Sequence, residues 1–165
     1  MSINKDSIES FIGEFDGEWH EGWRAMSQDL VNALVEKFGG IEKFLTIHAE
    51  VANGKTVDEV VGFNKEAELL AFYDENVDDI MQHADNCACR TGDESITDML
   101  RIQFSETDID EDGIEAALDE DACDFSDASA ERIEVCGWLV LCAAADLLAN
   151  YTHFLEEEAE KNLIE

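Results

Sequence analysis

Carboxylates dominate the chemistry available to this sequence. Asp108, Asp110 and Asp112, followed by Gly113, reproduce the first half of an EF-hand loop. In such a loop acidic positions 1, 3 and 5 ligate Ca²⁺ and the glycine at 6 makes the sharp turn. Phe104 stands where an entering helix would end. The second half departs from the pattern. Glu115 replaces the usual apolar residue, Asp119 is shorter than the bidentate Glu of position 12, and no second loop pairs with this one.

The same aspartates open a longer acidic tract, Glu106–Asp127, in which 11 of 22 residues are Asp or Glu. They are Glu106, Asp108, Asp110, Glu111, Asp112, Glu115, Asp119, Glu120, Asp121, Asp124 and Asp127. No Lys or Arg lies between Arg101 and Arg132. If Asp112–Asp124 is helical, Glu111, Glu115 and Asp119 share one face with carboxylates about 6 Å apart along the axis. Like charges at that spacing cost a helix a few tenths of a kcal/mol each, so helix stability does not explain them. One charge per about 3 Å of helix is close to the phosphate spacing of about 3.4 Å along one DNA strand. Such a surface suits a groove built for nucleic acid; the plainer reading is a solvated acidic face.

Other chemistry is thinner. His83 and Cys87, four apart, share a helix face, with Cys89 two further on, but zinc needs four ligands and Cys-x-Cys is tight for a tetrahedron. Nothing else nearby completes the set, and small buried thiols at a helix end are the favoured reading. Cys123, Cys136 and Cys142 read as packing residues. His20, His48, His83 and His153 are scattered, and no nucleophile elbow, phosphate loop or dinucleotide fingerprint occurs. No enzymatic activity and no cofactor are expected.

The composition bounds the partners. A net charge of −31 over 165 residues, with pI near 4.1, opposes binding to DNA, RNA or an anionic membrane through a basic face. Residues 101–134 carry −11 of that total, so the acidity is general with its peak at the tract. Favoured partners are cationic: a basic protein groove or metal ions. Salt adaptation also produces excess acid, but the 12 Ile, nine Phe and five Cys are rich for a halophilic protein. The odd cysteine number points to a reducing, cytoplasmic setting. The longest apolar run, Val135–Ala149, is about 15 residues and contains Asp146, short of the ~20 a bilayer requires.

The elements that must position these groups read as helices throughout, with no proline to break them. The spacing predicts helices over Ile8–Phe15, from about Arg24 to Phe38 with Gly39-Gly40 as stop, and over Ile41–Ala52 ending at Asn53-Gly54. Thr56–Phe63 suits a helical turn and loop. Asn64 caps a helix that Asp74–Asn76 interrupts before Val77, and Arg90–Asp93 is a turn. Ser95-x-x-Asp98 opens another helix. After the tract, Ser129 or Asp127 starts a last helix, apolar all round between Val135 and Ala149 and polar at Glu156–Glu160. The expected fold is all-α: a compact multi-helix bundle around a central apolar C-terminal helix, forming a single domain over residues 1–165.

Two resemblances follow. Leu34–Met81, with Gly39-Gly40 ahead of Phe44-Leu45, then Gly62-Phe63 and Ala71-Phe72-Tyr73, together with Trp138–Tyr151, resembles a family of small phage- and prophage-encoded proteins. It carries over no catalytic residue, and the acidic tract departs from that family's pattern. The charge profile resembles the DNA-mimic inhibitors that phages direct against restriction enzymes, CRISPR effectors and other DNA-binding machinery. That likeness implies a basic nucleic-acid-binding host protein as partner, action in the host cytoplasm, and a homodimer lengthening the charged surface, with Trp19, Trp23 or the last helix as interface. Asp74, Glu75, Asp78, Asp79 and Glu156–Glu160 could extend the surface. A single degenerate Ca²⁺-binding loop, or a halophilic or structural acidic protein, are the readings left beside it.

Overall fold

A computed structural model describes residues 26–56, 66–119 and 125–164. The Ile8–Phe15 helix, Trp19, Trp23, most of the Thr56–Phe63 segment, the Asn64 cap, and Glu120, Asp121, Cys123 and Asp124 lie outside the described residues. The described chain is all-α, as expected, with no strand: α1 Gln28–Phe38, α2 Ile41–Ala52, α3 Glu66–Glu75, α4 Val77–Thr91, α5 Ile96–Gln103, α6 Glu111–Asp119 and α7 Ala130–Ile164, with a 3₁₀ turn at Phe125–Asp127. Contacts fall into two groups. One contains α1, α2 and α7 beyond Ala143; the other contains α3 to α6 and α7 up to Ala143. Each group forms a compact unit.

The glycine stop is where the sequence puts it. Gly39 adopts φ 111°, a left-handed conformation costly for other residues, and its N–H donates to Glu36 O while that of Gly40 donates to Val35 O. The start of α1 differs from the expected Arg24. Ser27 is the cap, its Oγ accepting from Leu30 N at 3.2 Å, which satisfies an otherwise orphaned amide. Ser95 caps α5 as expected, accepting from Asp98 N at 3.1 Å. Asn76 breaks α3 from α4, its side-chain amide donating to Phe72 O at 3.0 Å.

In the first unit, Leu30, Val31, Leu34, Val35 and Phe38 bury one face of α1. Phe38 stacks on Phe44 of α2 with ring centroids 5.8 Å apart, and Phe44 meets Tyr151 of α7 edge-on at 5.4 Å. His48, also buried, sets its ring edge-on to Tyr151 at 4.8 Å and its Nε2 2.8 Å from Thr152 Oγ1. Burial lowers the pKa of His48 and pushes that of Tyr151 up to about 12.

In the second unit, Leu69, Leu70, Phe72 and Tyr73 of α3, Ile80, Ala84, Cys87 and Ala88 of α4, and Met99 and Leu100 of α5 are buried, as are Val135, Cys136, Leu139 and Val140 of α7. Phe104 meets Trp138 edge-on at 6.3 Å. Gly137 of α7 faces α3, where an added Cβ would meet Leu69 Cδ1 at 3.4 Å, an ordinary contact.

The last helix is longer than its apolar run. It continues to Ile164, so its polar end stays helical. By length and composition Ala130–Glu156 passes for a membrane span, its most apolar 18-residue window having mean hydropathy 1.6. Yet 61% of that apolar window is buried within the protein, the condition of a core helix.

Candidate functional site

The acidic tract is built by two turns and a helix. After α5, Phe104 is buried, and its carbonyl accepts from both the N–H and the Oγ1 of Thr107, at 3.1 and 2.8 Å. Thr107 Oγ1 then accepts from Ile109 N at 3.2 Å. This local turn leaves Glu106 and Asp108 exposed. Asp110 caps the next helix: its Oδ1 accepts from Gly113 N at 2.9 Å and its carbonyl from Ile114 N at 2.9 Å.

This cap decides against the loop that the Asp-x-Asp-x-Asp-Gly pattern outlines. Helix α6 begins at Glu111, so Asp112 and Gly113 are helical, and Gly113 is not among the glycines at positive φ. A calcium loop needs its sixth residue in a sharp turn. Here that residue lies in the first turn of a helix, and the third-position carboxylate is engaged with its amide.

Within α6, Ile114 and Ala117 are buried, three apart, while Glu111, Asp112, Glu115 and Asp119 are exposed. The expected face of Glu111, Glu115 and Asp119 is thus displayed on a real helix, one that starts a residue earlier than the sequence suggested. Glu111 and Asp112 are favoured near the helix N-terminus; Asp119 sits at the unfavourable end, with no basic residue in the last turn. Asp127, in the 3₁₀ turn, is also exposed.

What fixes this helix is a residue the sequence reading passed over. Arg132, 1% exposed, lies in the first turn of α7, whose start is set by Ser129 Oγ accepting from Arg132 N at 3.1 Å. Its guanidinium pairs with the Asp74 carboxylate, donates to Ala117 O at 3.4 Å and lies 5.7 Å from the centroid of the Tyr73 ring. Burial raises the Tyr73 pKa strongly, neighbouring Cys136 adds to it, and Arg132 opposes it. Asp74, offered above as part of the displayed surface, is instead engaged by this cation, its side chain 17% exposed. The missed signal was an arginine at the end of a long stretch without cations.

The structure also brings in two acids from outside the tract. Glu131 and Glu134, three apart on α7, join Glu106, Asp108, Thr107 and Ile109 around a surface pocket of about 410 Å³. Four carboxylates thus line one concavity. Of the other expected extensions, Glu75, Asp78 and Glu156 are exposed.

Of the expected thiol–imidazole set, His83 and Cys87 are buried and adjacent, whereas Cys89 is exposed, as its two-residue offset on a helix requires. Known protein families, curated proteins and solved structures contain no match to this chain.

Proposed function

We propose that the protein is an acidic mimic of DNA that occludes the nucleic-acid groove of a basic host protein. The observation that carries the reading is the exposed row Glu111, Asp112, Glu115 and Asp119 on α6, preceded along the chain by exposed Glu106, Asp108 and Asp110 and followed by exposed Asp127. The row stands on a helix tied to the interior through Arg132. A displayed charge array on a fixed element loses less freedom on binding than a loose acidic tail does. Its carboxylates stand in for phosphates and are attracted to the Lys and Arg that otherwise hold nucleic acid. In this reading the protein acts by stoichiometric binding and not by catalysis, in the cytoplasm of a host that a phage or mobile element enters. Anti-restriction or anti-CRISPR activity is the corresponding role, and a second copy would lengthen the apparent duplex.

The test is capture of partners from a host lysate followed by competition. The expected partner is a DNA- or RNA-binding protein, released by added duplex DNA and by rising salt. Recovery of no such protein, or a complex insensitive to both DNA and salt, sinks the reading.

A further inference from the structure

We propose that Asn53–Gly54, at the C-terminal cap of α2, is a site of spontaneous deamidation whose rate the cap controls. Asn53 is the one asparagine of the chain followed by glycine. Glycine leaves its own amide nitrogen unhindered, because it carries no Cβ. Asn53, Gly54 and Lys55 are all exposed, and a Cβ built on Gly54 would meet nothing within 4 Å. The space that a ring closed between the two residues needs is therefore open. The cap works the other way. Gly54 N donates to Val51 O at 3.0 Å and Lys55 N to Glu50 O at 3.2 Å, a pairing that the glycine φ of 104° permits. The attacking nitrogen is thus held by the last turn of the helix.

The reaction needs only water. Gly54 N gives up its proton to solvent base and attacks Asn53 Cγ. The new N–Cγ bond closes a cyclic imide, the Cγ–Nδ2 bond breaks, and the side-chain nitrogen leaves as ammonia. Water then opens the imide at either carbonyl and leaves an aspartyl or an isoaspartyl residue at position 53. A nitrogen without its proton cannot donate to Val51 O, so the terminal turn of α2 must open first. Opening at a helix end is among the least costly motions of a folded chain. The product also disfavours the cap. Its carboxylate lies at the negative end of the α2 dipole, where the last turn holds no basic residue. The isoaspartyl form further lengthens the backbone that carries Lys55 N to Glu50 O.

The full chain would be incubated at neutral pH, folded in buffer and unfolded in guanidinium chloride, and the peptide containing Asn53 followed by mass spectrometry. The amide-to-acid mass change should appear in both, roughly 5–150-fold more slowly in the folded chain, the factor for giving up two hydrogen bonds. Ala52→Gly, at an exposed position, weakens the last turn. It should speed the folded-state reaction roughly twofold and leave the unfolded-state rate unchanged. Gly54→Ala should slow the reaction in guanidinium chloride, where the fold plays no part. Equal rates in the folded and unfolded chains overturn the proposal. So does a folded chain left unchanged by an incubation roughly 150-fold longer than the unfolded chain requires. An Ala52→Gly chain that reacts no faster when folded, or a Gly54→Ala chain that reacts no slower when unfolded, overturns it as well.

Discussion

The guanidinium of Arg132 pairs with the carboxylate of Asp74 across 58 positions of sequence, and the same guanidinium reaches Ala117 O at the end of the acidic helix. Arg132 is one of only ten Lys and Arg in a chain of net charge −31. A cation so scarce, and so deeply buried, is placed where it ties α3, α6 and α7 together. Truncating one partner of such a pair strands the other and is costly. Arg132→Ala should lower stability by about 3 kcal/mol, the lower end of the usual range because Asp74 retains some access to water. The double variant Arg132→Met with Asp74→Asn should lose less than the sum of the two single changes. Urea denaturation of the four proteins checks this as a double-mutant cycle; additive losses would mean that the pair does not couple.

Gly113 distinguishes a helix from a calcium loop. In a loop, a side chain at the sharp turn would be strained. In α6, an added Cβ would meet Asp110 Oδ1 at 3.4 Å and Ile109 Cγ2 and Glu131 Cγ at 3.5 Å, all ordinary contacts. Gly113→Ala should therefore raise stability by roughly 0.5–1 kcal/mol, the gain in helix propensity. A rise in melting temperature is the expected readout, and a fall would restore the loop.

His48 predicts a pH dependence in the first unit. Burial lowers its folded-state pKa below the unfolded value of 6.5. The unfolded chain then takes up the proton first as pH falls. His48 thus contributes stability that is fully present above 6.5 and is lost as pH drops through the lower folded-state value. Between pH 8 and 5 the melting temperature should decline in the unaltered protein, and His48→Gln should flatten that part of the decline. An identical slope in both proteins would exclude His48 as the group responsible.

The acidic face should be dispensable for folding. Glu111, Glu115 and Asp119 repel at helical spacing, so changing them to Gln, Gln and Asn should leave stability equal or a few tenths of a kcal/mol higher. The same triple change should weaken the complex with a basic partner and flatten its salt dependence, because fewer counterions are exchanged. Thermal melts and binding isotherms at several salt concentrations separate the two effects. Unchanged binding would move the interface elsewhere on the surface.

Local signals in the sequence determined much of this protein. Gly39-Gly40 stops α1 because a glycine adopts left-handed backbone freely, and Ser95 caps α5 because its hydroxyl reaches an amide three residues on. Helical spacing put Glu111, Glu115 and Asp119 on one face of α6, where they are exposed, while Ile114 and Ala117 are buried. These follow from interactions within a few residues, which the chain order itself encodes. Partners distant in sequence had to wait for the tertiary structure. Asp74 reads as one more surface acid until Arg132 arrives from α7, and Glu131 and Glu134 read as an ordinary helix face until they meet Glu106 and Asp108 around one pocket. The Asp108–Gly113 pattern was ambiguous for a related reason. Loop and helix ask for the same residue types there, and only the fold settles whether Asp110 turns its carboxylate toward a cation or toward the amide of Gly113.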